Sequence, residues 1–126
     1  MERRGPASRR AILLGPGEFL ATVGTFSLFD LRVTVERIEG RSTCGLVVGD
    51  YFEVTQSSHI RIPPDRHFCI YALAAILPLL PAVQRRLAAD DWLEHDSLVA
   101  CPDPDERVLM RIERIRERTL RTEDVT

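Results

Sequence analysis

RVLMRIERIRERTLR, residues 107–121, is the stretch whose reading decides the fold. As a helix it stacks Arg107, Arg111, Arg114, Arg118 and Arg121 at spacings of four and three, a charged stripe for solvent. As a strand it sends Val108, Met110 and Ile112 to one side. The spacing slightly favours the helix. A faint echo between VTVERIEG (33–40) and LMRIERIRE (109–117) favours two similar strands instead. Periodicity alone leaves the choice open.

The neighbouring segments are clearer. SLVAC (97–101) is short, apolar and strand-like, and PDPDE (102–106) has hairpin-loop length. FDLRVTVERIEG (29–40) alternates Leu31, Val33 and Val35 with Arg32, Thr34 and Glu36, the pattern of a half-buried strand ended by Gly40. A turn at Gly49-Asp50 precedes a second strand through Tyr51–Thr55, and HIRI (59–62) reads as a short third.

PPDRHF (63–68) is a helix-start signature, and the following run to Leu80 is apolar on nearly every side, which predicts a buried helix over 67–80. Cys69, Leu73, Ile76 and Leu80 share one stripe, and Phe68, Ala72, Ala75 and Leu79 the adjoining one. Pro78 and Pro81 interrupt it, and PAVQRRLAADD (81–91) restarts a second, more polar helical piece. Together these predict an α+β domain with a small, mostly antiparallel sheet of four or five strands, packed on one buried helix plus a second short one. The expected limits are an N-terminal extension over 1–28, a single domain over 29–116 and a C-terminal tail over 117–126.

Bulk composition narrows the function classes. The chain has 126 residues, 44% hydrophobic, enough for one core without staples. All seventeen basic residues are arginine, against nineteen acids. With four Arg and one Glu in residues 1–10, the remainder is acidic and offers no phosphate-binding face, so no nucleic-acid partner is expected. The run 68–80 is too short to span a bilayer and contains Pro78, so no membrane partner is expected either. SRRAILLG (8–15) looks like a twin-arginine export signal, but Glu18, Gly15-Pro16 and the lack of a small-residue cleavage site point to a basic leader instead. Three cysteines separated by 25 and 32 positions make no disulfide framework, which implies a reducing cytoplasm.

Cys69 is the first candidate for chemistry. In the first turn of its helix it would meet free amides and the positive dipole end, which favour a thiolate. His67 is the best general acid–base candidate, with Arg66 beside it, although two positions on a helix point apart. Packing is the competing role for Cys69, since free cysteine is among the most buried residue types. Cys101 and Asp103 complete the candidate catalytic set, and Tyr71, Cys44, Arg66 and Trp92 the candidate substrate-binding set. Turn formation competes for Asp50, Asp103 and Asp105, core packing for Tyr71 and Trp92, and simple exposure for His59 and His95. No metal ligand set is assigned and no cofactor is expected. Zinc on three cysteines and one histidine is chemically sensible, but no C-x₂₋₄-C knuckle exists.

Four motifs in order, C-G-L-V-V-G-D-Y-F-E-V (44–54), F-C-I-Y-A-L (68–73), A-C-P-D-P (100–104) and R-I-E-R-I (111–115), resemble a family of small bacterial domains described as repeat proteins because some members carry tandem copies. The resemblance covers about residues 31–115. It implies a strand over 107–115 and matches Cys44, Cys69 and Cys101 together to family positions. The glycine before F-C in the family is His67 here, and the linker before the fourth strand is AADDWLEHD (88–96).

Two functional classes are expected. One is a small cofactor-independent enzyme of bacterial small-molecule metabolism, of lyase, decarboxylase, isomerase or cyclase type, with an apolar pocket near the start of the 67–80 helix. The other is a non-catalytic ligand-binding or interaction module, a homodimer in its oligomeric form, with structural or zinc-binding cysteines. A small molecule is the partner in the first and in the ligand-binding form of the second.

Overall fold

The computed structural model describes residues 24–125 and the backbone of 11–12 and 21–22. Those two short segments, β1 (Ala11–Ile12) and β2 (Ala21–Thr22), pair antiparallel. The basic leader expected at residues 1–10 lies outside the described residues.

Five further strands form one antiparallel sheet in the spatial order β5, β4, β3, β7, β6. They are β3 (Thr25–Ile38), β4 (Tyr51–Thr55), β5 (His59–Arg61), β6 (Leu98–Ala100) and β7 (Val108–Arg121). The fold is therefore the expected α+β arrangement. The ambiguous stretch is a strand, the longest in the molecule together with β3, which it pairs along its whole length.

Its arginines fall at helix-like intervals, yet the strand spreads them over both faces of the sheet, and the pairing is shifted at two places, one of them beside Arg114. Asp30 pairs with Arg116 and Leu31 with Arg114, which leaves Ile115 as an extra residue in β7. The partners come from β3 for Arg111 and Arg118 and from the helical layer for Arg114. Arg111, between the buried Met110 and Ile112, points the other way and pairs with Glu36 at 2.9 Å. Arg114 reaches a glutamate of the helical layer, Glu94, at 2.6 Å, and Arg118 reaches Asp30 at 2.6 Å.

The core lies between one face of the sheet and the helices. Leu31, Val33 and Val35 of β3, Phe52 and Val54 of β4, and Val108, Met110 and Ile112 of β7 are all buried there. Burying one such side chain is worth about 1.5–3 kcal/mol. Phe52 also meets Phe68 edge to face, with ring centroids 4.7 Å apart.

The helical layer departs from expectation. Helix α1 runs only over Ile70–Ile76 and passes through a 3₁₀ turn, Leu77–Leu79, into α2 (Leu80–Val83). Pro78 and Pro81 lack the N–H groups a continuous helix would need. Residues before Ile70 stay non-helical, with Asp65 at φ 61° and Cys69 extended at ψ 128°. The run is also not apolar-buried on every side. Ala72, Ile76, Leu80 and Val83 face the sheet, while Ile70, Tyr71 and Leu77 are exposed, because a helix lying on a sheet hides one stripe only. The second polar helix expected at 81–91 is replaced by α2 and by α3 (Trp92–His95), which Asp91 caps by accepting from the Leu93 amide at 2.9 Å. A last turn, α4, covers Thr122–Val125.

The domain limits expected at 29 and 116 fall inside β3 and β7, whose pairing runs from Thr25 with Arg121 to Ile38 with Val108. No helix among the described residues is long and apolar enough to cross a membrane.

Candidate functional site

Past the end of the β3–β7 ladder, its pairing continues into two loops. The amides of Glu39, Gly40 and Arg41 donate to the carbonyls of Arg107, Glu106 and Asp105 at 3.0, 3.0 and 3.2 Å. The approach is so close that a Cβ on Gly40 would lie 1.8 Å from the Asp105 carbonyl oxygen, so glycine is required there. Asp103 shapes the second loop, its Oδ1 accepting from the Asp105 and Glu106 amides at 2.8 and 3.2 Å.

Glu106 joins the two loops. Its Oε1 accepts from the Thr43 amide at 2.5 Å, the Thr43 hydroxyl at 2.9 Å and the Cys44 amide at 2.9 Å. These bonds, the one from the Cys44 amide foremost, hold the Glu106 carboxyl below the usual carboxylate range. Glu106 thereby fixes where Cys44 sits. Sequence reasoning passed over it, and the available signal was its place as the last acid of the P-D-P-D-E loop.

Cys44, Cys69 and Cys101 all line one open cavity of about 190 Å³, together with Tyr71, Asp103 and Glu106. Ala72, Pro102 and Val108 supply its remaining wall. Cys69 is the N-cap residue of α1, one position before the first turn where it was expected, and its side chain makes no capping bond. Cys101 is tied down: its Sγ accepts from the Val108 amide at 3.3 Å and lies 3.8 Å from the Asp103 carbonyl. Cys44 contacts the Ser42 hydroxyl at 3.6 Å. Burial, with the neighbouring Cys69 adding to it, pushes the Cys44 thiol pKa up.

The remaining candidates are placed elsewhere. His67 does not line the cavity; its Nε2 donates to the Cys44 carbonyl at 2.8 Å and its ring lies 3.3 Å from where a Cβ on Gly45 would stand. Arg66 donates to Asp50 Oδ1 at 2.5 and 2.9 Å. Asp50 also accepts from the Val47 amide at 3.0 Å. Burial opposes ionisation of Asp50, and these two partners outweigh it and lower its pKa. Arg66 and His67 thus brace the 44–50 loop behind the cavity. Trp92, 64% exposed on α3, is neither a core residue nor part of the cavity wall, whereas Tyr71, 69% exposed, stands at its rim. His59 lies exposed on the edge strand β5, and His95 bonds the Ala89 carbonyl.

Among the described residues, no group of three or more His, Cys, Asp or Glu side chains is arranged to hold a metal ion. Comparison with family models, with curated proteins and with solved structures found no match to the chain. The family resemblance therefore rests on its four motifs alone.

Proposed function

We propose that the chain is a cytoplasmic protein that binds a small, largely apolar molecule in the cavity between the start of α1 and the β6–β7 loop. The convergence of Cys44, Cys69 and Cys101 from three separate segments on one cavity of about 190 Å³ carries this proposal. A cavity of about 150 Å³ lined by apolar side chains takes up benzene, so a guest of single-ring size fits the volume. Three free cysteines support the reducing setting. The resemblance, which matches the three cysteines together, supports a joint role for them.

Of the two classes expected from the sequence, the geometry favours the binding module. A lyase, decarboxylase or isomerase needs a group free to move a proton, and the obvious ones are committed. His67 is bonded to the Cys44 carbonyl, Asp103 holds two amides and Glu106 holds three donors. One observation favours the cofactor-independent enzyme as a second reading: Cys69, with no capping bond, and the exposed Tyr71 bring a thiol and a phenol to the same rim.

Ligand-observed NMR with benzene, phenol and indole tests this. Wild-type protein should show saturation transfer to at least one guest, and Cys69→Phe, which fills the cavity from its rim, should abolish it. Equal transfer in both proteins, or none in either, would remove the proposal. Conversion of a bound guest that is lost in Cys69→Ser would transfer the assignment to the enzyme class.

A further inference from the structure

The ionisable side chains around the cavity, apart from thiols and the Tyr71 phenol, are the carboxylates of Asp103 and Glu106. Arg66, three positions before Cys69, is engaged by Asp50, and Arg107, between Glu106 and Val108, does not line the cavity and donates to the Glu39 carbonyl at 3.1 Å. Three thiolates around a divalent cation would carry a net negative charge, next to two more negative groups and against apolar walls. That arrangement is costly, because metal ligation first requires each thiol to lose its proton. The raised pKa of Cys44 points the same way. A guest that engages sulfur while leaving it neutral escapes this cost.

Trivalent arsenic does so. Each As–OH bond exchanges for an As–S bond, and the thiol proton leaves with the hydroxyl as water, so neither base nor oxidant is needed. The product is uncharged. Cys101 is held by the Val108 amide at 3.3 Å and lies 3.8 Å from the Asp103 carbonyl, which leaves Cys44 and Cys69 as the cavity's other two thiols. With Cys101 so occupied, two sulfurs rather than three are the natural attachment.

We infer that the cavity captures a neutral trivalent arsenical bearing one small apolar substituent, bridged between Cys44 and Cys69, with the substituent on the Ala72–Val108 wall. This rests on the small-molecule proposal above and names its ligand class.

Phenylarsine oxide is the probe. One molecule plus two thiols gives a phenylarsenic dithiolate and one water. Intact mass spectrometry should show one phenylarsenic group per chain, removed by dimercaptopropanol, with Cys101 still open to iodoacetamide in the unfolded adduct. Cys44→Ser and Cys69→Ser should each weaken capture by about 100-fold or more, and Cys101→Ser by less than about 3-fold, in proteins whose circular dichroism matches wild type. Capture that survives either of the first two substitutions, or that is lost in Cys101→Ser, overturns the inference. If aromatic guests bind by NMR but phenylarsine oxide is not retained, the inference fails and the small-molecule proposal stands. If neither binds, both fail.

Discussion

The two halves of the β3–β7 pair bury opposite faces. In the half next to the cavity, Leu31, Val33 and Val35 meet the helices with Val108, Met110 and Ile112. Past Ile115, the buried residues are Leu28, Asp30 and Leu120, and strict alternation along β3 puts Leu28 and Asp30 on the other side from Leu31 and Val33. The halves also use their carboxylates differently. Near the cavity, Glu106 is held by two loop amides and a hydroxyl. In the far half, Asp30 is held by the side chains of Arg116 and Arg118. An acid bonded to amides fixes the course of a loop, whereas one bonded to guanidinium groups fixes one strand against the next.

The largest expected effect tests which half carries the core. Phe52 is fully buried within the main cluster, and Phe52→Ala should cost about 3–5 kcal/mol in urea unfolding. Leu120 is buried outside that cluster, and Leu120→Ala should fall near the low end for its type, about 2 kcal/mol. Equal losses would show that the two halves are energetically one.

A second pair of substitutions separates the two uses of a carboxylate. Glu106→Gln and Asp30→Asn should each lower the melting temperature, by something on the order of 5 °C. Only Glu106→Gln should free the Thr43–Cys44 backbone, so only there should alkylation of Cys44 by iodoacetamide speed up, by about tenfold. An unchanged Cys44 rate in Glu106→Gln, or a faster one in Asp30→Asn, would dissolve the distinction.

Acidification sharpens it further. Glu94, bonded first by Arg114 and then by the Leu87 amide, has its pKa lowered from 4.5 to about 2. A carboxyl lowered in the folded state stabilises the fold fully above its unfolded value and loses that contribution as pH falls through the folded one. Glu106 and Asp50 are lowered too, so they act in the same direction. Stability should therefore fall as pH drops from about 4.5 toward about 2, and Glu94→Gln should flatten the dependence. Urea midpoints measured across that window check both statements, and a Glu94→Gln curve parallel to wild type would contradict them.

Much of the sheet was legible in the sequence, and the reasons the rest was not are physical. Tyr51–Thr55 read correctly as a run rich in β-branched and aromatic residues, and HIR and LVA as short segments closed by proline-containing turns. Residues 108–121 stayed undecided because their arginines serve both faces of the sheet, Arg111 on one and Arg114 on the other, so they fall at intervals of three and four as on a helix. The apolar run 68–80 promised burial on all sides, but hydropathy records how apolar a helix is, not how many layers cover it, and Tyr71 and Leu77 are exposed. At the site, the three cysteines were found singly by residue type, and the resemblance grouped them. Their shared cavity depends on the 39–50 and 101–107 loops lying side by side, which no local spacing encodes. Glu106 went unnoticed because its role needs partners 62 and 63 residues away.

The smallest expected effect lies on the surface of the far half. Arg86 and Glu117 pair at 3.1 Å with side chains 70% and 47% exposed, a setting in which ion pairs contribute little. Arg86 also lies over the Phe29 ring at 5.1 Å, and Arg114 lies over the same ring at 4.7 Å. Losing Glu117 therefore leaves Arg86 with its aromatic contact, and Glu117→Ala should change stability by less than about 0.5 kcal/mol. Arg86→Ala removes both contacts and should cost somewhat more, about 0.5–1 kcal/mol. A loss in Glu117→Ala as large as that in Leu120→Ala would mean that surface pairs, rather than the buried Leu28, Asp30 and Leu120, hold the far half together.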